Sequence, residues 1–135
     1  MTFTAPPPPI VADASFVVDG LTGDASVNAA WSLWADQGRM ILGPAIVWPE
    51  VGNALRSLRV AAEQIASHLE TVEAAGLETA DRGPRGVAFG VALAERHGLS
   101  VYDATYLWLA IDIDGELATR DKALEIGCVC STRLM

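Results

Sequence analysis

Four acidic residues, Asp13, Glu50, Asp103 and Asp121, have the types and positions to do chemistry together. Carboxylates gathered in one place bind a hard divalent cation through oxygen, and such a cation polarises phosphate and acidifies water. Asp103 makes the case most sharply. In the stretch SVYDATYLWLAI, Ser100 to Ile111, it is the one charge, and eight uncharged residues follow it. An isolated ionised carboxylate in apolar surroundings costs several kcal/mol, so a neighbour must share, bond or neutralise the charge. Four like charges close together also raise one another's pKa values, a problem that a cation removes. The set contains no His or Cys, which disfavours zinc. His68 and His97 fall within or at the end of helical stretches and read as surface residues. Each acid also has a simpler reading as a helix cap. Asp13 can cap a turn starting at Ala14, Ser100-x-x-Asp103 resembles a capping box, and Thr119 or Asp121 can cap the last helix. Capping accounts for each acid separately but not for four at one edge.

The elements that must bring them together follow from the hydrophobic pattern. APPPP (5–9) favours polyproline II, so 1–8 reads as a loose N-terminal arm and 9–135 as one domain. IVADAS is a short buried strand ending near Asp13, and SFVVDGL a helical turn or two. ASVNAAWSLWADQG places Val27, Ala30, Trp31, Trp34 and Ala35 at helical spacing, with Gly38 as a stop and the tryptophans in the core. MILGPAIV is a second strand and loop. Pro49 suits the first turn of the helix PEVGNALRSLRVA. The helix AAEQIASHLETVEAAG, the strand LETA, the helices GPRGVAFGVALAERHG and SVYDATYLWLAIDID, and the strand GELAT follow. A short helix, RDKALEIG, and a last strand, CVCST, complete the chain; there Cys128 and Cys130 are small apolar side chains on one face. Strands alternating with helices imply an α/β fold, a mostly parallel sheet with helices on both faces. All strands of such a sheet end at the same edge. The four acids therefore meet there although 108 positions (121 − 13) separate the first from the last.

Composition bounds the function. The 135 residues suit a single core, and 51% hydrophobic residues with a mean hydropathy of +0.30 argue against disorder. The net charge of -8, from nine Lys and Arg against seventeen Asp and Glu, excludes a generic basic nucleic-acid-coating protein. It leaves room for an acidic site that grips a polyanion through metal ions. With no Lys or Arg before Arg39, a secretory signal is not expected. No apolar run reaches the ~20 residues of a membrane helix. These features imply a reducing, cytoplasmic setting.

VADAS, PEVGNAL with its Glu-x-x-Asn, YDATYLWLA and LATRDKAL, in that order and spacing, resemble the motifs of PIN-domain ribonucleases over about residues 9–131. The most similar subgroup is the VapC toxins of bacterial toxin–antitoxin pairs. The resemblance implies a parallel sheet between helices and a metal-binding catalytic site of Asp13, Glu50, Asp103 and Asp121, loaded with Mg2+ or Mn2+. It implies that Ser15 and Thr119 support the site and that Asn53 orients Glu50. It also implies RNA as substrate, a homodimer, and a VapB-like antitoxin that blocks the groove. Arg56 and Arg59, read as one helical turn apart, together with Arg82, Arg85 and Arg120, are the candidate phosphate contacts. The reaction expected is hydrolysis of an RNA phosphodiester by water, since no Ser or Cys nucleophile with a base is evident. Two alternatives stand beside it. One is a non-catalytic binding module of the same fold. The other is a phosphoaspartate-type α/β domain, disfavoured because Ser15 stands where a second Asp is needed and no late-strand Lys is found.

Overall fold

The computed structural model describes residues 5–122, 124 and 125. Chain order is β1 (Ile10–Ala12), α1 (Ala14–Leu21), α2 (Ala25–Asp36), β2 (Ile41–Gly43), α3 (Val47–Ser57), α4 (Ala62–Ala74), β3 (Leu77–Thr79), α5 (Gly83–His97), α6 (Val101–Asp112) and β4 (Glu116–Ala118). The strands form one sheet in the order β3-β2-β1-β4, and every pairing is parallel. Ile10 pairs with Ile41 on one side of β1 and with Glu116 on the other. Covered by helices on both faces, the sheet buries Ile10, Val11 and Ala12 completely, as the apolar run IVA requires.

This strand order has one reversal. The chain steps outward from β1 to β2 to β3, then crosses back to place β4 on the other side of β1. The carboxyl ends of β1 and β4 therefore flank a switch-point crevice, the place where open parallel sheets bind ligands. The Asp13 amide donates to the Ala118 carbonyl at 3.0 Å and carries the pairing one residue into the crevice.

The helices that reach the crevice owe their placement to simple sequence features. In α5 the small residues Gly86, Gly90 and Ala94, four apart, form the buried stripe. A Cβ on Gly86 would lie 3.1 Å from Trp108 Nε1, so glycine there permits the close approach of α6. In turn α6 buries Ala104, Tyr106, Leu107, Leu109 and Ala110 and packs on β1 and β4. Trp31 and Trp34 pack against the core as expected, half-buried, and Trp31 Nε1 donates to the Ala75 carbonyl at 3.1 Å.

The bounds of α3 differ from the sequence reading. α3 begins at Val47, two residues ahead of Pro49, so the proline lies inside the first turn. It ends at Ser57, and Arg59 has a left-handed φ of 64°; Arg56 and Arg59 are therefore not successive turns of one helix. The proline-rich arm is tied down at its end: Arg39 Nε donates to the Pro8 carbonyl at 2.8 Å and the Glu116 amide to the Pro9 carbonyl at 2.9 Å. Lys122, Leu124 and Glu125 are helical, in line with the short helix read from RDKALEIG. The expected last strand, with Cys128 and Cys130, lies outside the described residues.

Candidate active site

Asp13 follows β1 directly and is 4% exposed. It caps α1: its Oδ1 accepts the Phe16 amide at 3.0 Å and the Ser15 hydroxyl at 2.7 Å. The other oxygen, Oδ2, accepts the Thr119 hydroxyl from beyond β4. Two further bonds join the strand ends, from the Arg120 amide to Ser15 Oγ (3.0 Å) and from the Asp121 amide to Thr119 Oγ1 (2.9 Å). Ser15 and Thr119 thus hold Asp13 from both sides of the switch point. All three donors are neutral. Burial pushes the Asp13 carboxyl above its ordinary 3.8; the three bonds pull it down, and the nearby Asp103 charge adds to the rise.

Glu50, in the first turn of α3, is half-buried. Its Oε1 accepts the Tyr106 hydroxyl at 2.6 Å. Burial raises its carboxyl above the ordinary 4.5; the Tyr106 bond opposes the shift, and the Asp103 and Asp13 charges reinforce it. Burial and the Glu50 carboxylate push the Tyr106 phenol far above its usual range, so it remains a donor.

Asp103 is not the cap of α6. That role belongs to Ser100, whose hydroxyl oxygen accepts the Asp103 amide at 3.0 Å. The Asp103 carboxylate, one turn before Tyr106, is left to act on Asp13 and Glu50 through its charge.

The structure thus brings Asp13, Glu50 and Asp103 into one electrostatic group. Asp121 joins it less directly: its backbone bonds Thr119, and its Oδ1 accepts the Leu124 amide at 3.2 Å as a helix cap. Asn53 is exposed on α3, and the group that bonds Glu50 is Tyr106. His68 and His97 are half-buried, with part of each residue open to solvent.

The donor set suits a hard cation: it is all oxygen, among the described residues no cation pairs with it, and the carboxyls of Asp13 and Glu50 are raised by burial and nearby negative charge. Among the described residues no three His, Cys, Asp or Glu side chains are grouped closely enough to enclose a metal ion.

The candidate phosphate contacts divide. Arg120 is engaged within the chain: Nε meets Asp19 at 3.0 Å and Nη2 meets Asp24 at 2.5 Å. Arg82 pairs with Asp112 at 2.5 Å. These guanidinium donors are already committed to carboxylates. Arg85 lies 6.0 Å from the Phe89 ring, and Arg56 and Arg59 are exposed.

Sequence reasoning missed Tyr106 as a site residue. The available signal was its position three residues after Asp103, which puts a hydroxyl on the same helical face as the acid.

Comparison with known proteins agrees with this architecture. The family model described as PIN domain matches residues 10–126. Three solved structures have the same fold. PAE2754 from Pyrobaculum aerophilum is 24% identical, with a TM-score of 0.63 over 88% of this chain and 84% of that one. Mycobacterium tuberculosis VapC20, a sarcin-ricin loop cleaving toxin, is 19% identical, with a TM-score of 0.68 over 87% and 93%. A toxin–antitoxin complex from Klebsiella pneumoniae contains a chain 22% identical, with a TM-score of 0.61 over 83% and 86%. No curated protein matches the chain.

Proposed function

The chain belongs to the PIN domain family, and from that premise we propose that it is a divalent-metal-dependent endoribonuclease, the toxin of a type II toxin–antitoxin pair. The observation that carries the reading is the group Asp13, Glu50 and Asp103. These are three carboxylates at the switch point of a parallel sheet; neutral donors hold Asp13 and Glu50, and among the described residues no cation pairs with the group. A purely capping role would leave Asp103 unexplained, because Ser100 already caps α6. The likeness to a sarcin-ricin loop cleaving toxin and to a toxin–antitoxin complex supports RNA as substrate and an antitoxin as partner.

In the reaction proposed, water adds to an RNA phosphodiester and the leaving oxygen departs with a proton. One or two of Asp13, Glu50, Asp103 and Asp121 would hold the ion, Mg2+ or Mn2+, directly and the others through water. When bound, such an ion supplies Lewis acidity toward the phosphate and makes a water more acidic. Ser15, Thr119 and the Phe16 amide fix both oxygens of Asp13 and keep them from reorienting. Arg56 and Arg59, exposed on and just after α3, are available to the RNA backbone. The antitoxin proposed would cover the acidic crevice; an apolar groove of about 340 Å³, lined by Val17, Leu21, Val27, Trp31 and Val72, lies elsewhere, between α1, α2 and α4. Among the described residues no helix is long and apolar enough to cross a membrane. The resemblance adds a homodimer in the cytoplasm.

The experiment is cleavage of a structured RNA, such as tRNA, by purified protein with magnesium or manganese. Wild type cuts, EDTA stops it, and Asp13→Asn is inactive. An Asp13→Asn protein as fast as wild type would sink the reading. Co-expression with the product of the neighbouring small gene should yield an inactive complex; a fully active complex would remove the antitoxin from the proposal.

A further inference from the structure

Glu50 has a long side chain, sits only half-buried, and its backbone amide is used within the helix start, donating to the Ile46 carbonyl. Nothing in α3 fixes its carboxylate. The fixing group comes from α6, 56 positions away, where the Tyr106 hydroxyl meets Oε1 at 2.6 Å. Tyr106 is 1% exposed and belongs to the core cluster with Ile10, Val11 and Leu107. Its ring is therefore immobilised by packing, and the hydroxyl is delivered at a position the core dictates. The same helix turn carries Asp103. One rigid element thus supplies an acid of the site and also the donor that orients another.

We propose that Tyr106 is a positioning residue: its hydroxyl pins Glu50 Oε1, leaving Oε2 as the oxygen that Glu50 offers to a cation. The inference rests on the ribonuclease reading but concerns a residue that the family motifs did not bring into the site. Without the hydroxyl, Glu50 samples several rotamers, and the order lost must be recovered each time the ion binds. Partners one step behind a metal ligand commonly change affinity or activity by about 10–100-fold.

The test is Tyr106→Phe in the full chain, which keeps the ring and deletes the oxygen. Melting in EDTA reads folding. Manganese affinity is measured by titration calorimetry, and RNA cleavage in parallel. The expected result is a melting temperature near that of wild type, manganese affinity and cleavage each lowered about 10-fold or more, and no further loss of manganese affinity when Tyr106→Phe is added to Glu50→Ala. This cycle also removes any packing cost of the ring change, because both arms share it. Unchanged manganese affinity in Tyr106→Phe overturns the proposal. So does an equal loss of affinity in the Glu50→Ala background, because Tyr106 would then act through another group. Wild-type protein that neither binds manganese nor cuts RNA overturns the ribonuclease reading itself, and this inference with it.

Discussion

Two acidic regions meet at the end of β4, and consecutive residues serve them. Thr119 bonds Asp13 in the crevice, while the Arg120 side chain turns to Asp19 and Asp24 at the α1–α2 corner. At the corner, the Ser26 hydroxyl, the Val27 amide and the Arg120 guanidinium hold Asp24 down to about 2. In the crevice the donors are Ser15, Thr119, Tyr106 and the Phe16 amide, all neutral, and burial pushes Asp13 and Glu50 up. A neutral donor fixes a carboxylate oxygen without cancelling its charge. The corner therefore carries its own cation, whereas the crevice carboxylates are oriented with no paired cation among the described residues. The number of acids does not separate the two regions; the kind of partner does.

The largest break in this contrast is expected from Asp103→Asn. Ser100 keeps the helix capped, so the substitution removes a charge and little else. With EDTA the variant should melt at the wild-type temperature or above it, because Asp13 and Glu50 lose a repelling neighbour. Manganese should then raise the melting temperature less than in wild type, since ligand-linked stabilisation follows affinity. Cleavage should fall by about 100-fold or more, beyond what a residue behind the ligands costs. Equal manganese shifts with cleavage preserved would place Asp103 outside the site.

What could be read in advance follows a physical divide. The strands IVA, ILG and ELA, the helix pattern and the nearness of Asp13, Glu50 and Asp103 to one another were legible because local hydrophobic periodicity and the common carboxyl edge of a parallel sheet fix them. Side-chain pairing across long separations was not. The Tyr106–Glu50 bond joins positions 56 apart, and Arg120–Asp24 joins positions 96 apart; no local pattern marks either. The same gap explains what spacing could not show of three candidates. The Arg120 and Arg82 guanidinium groups each meet carboxylates of the chain. Asn53 suited Glu50 by helical spacing, but α3 leaves it exposed while the buried phenol of α6 takes the bond. The ambiguity over capping was also only half legible. Asp13 both caps α1 and joins the group, whereas Asp103 yields its cap to Ser100.

A smaller effect sharpens the comparison through acid. Asp13 and Glu50 titrate above their ordinary 3.8 and 4.5, so in the folded protein they hold protons that the unfolded chain has lost. Stability then rises as pH falls from neutral through these raised values toward 4.5. Asp24 has the opposite sign: its contribution is complete above 3.8 and is lost as pH falls through 3.8 toward 2. Metal-free protein with EDTA should therefore show two opposing slopes, separable by difference curves against variants. Glu50→Gln, whose amide oxygen still accepts the Tyr106 hydroxyl, should flatten the rise on the neutral side and leave the acid side alone. Asp24→Asn should do the reverse, shrinking the loss below 3.8. Saturating manganese should reverse the neutral-side slope in wild type, because an ion that binds carboxylates competes with protons for them. Melting temperatures across this range, with EDTA and with manganese, decide the matter. A Glu50→Gln curve parallel to wild type under both conditions would mean that the crevice carries no uncompensated charge, and the distinction between the two regions would collapse.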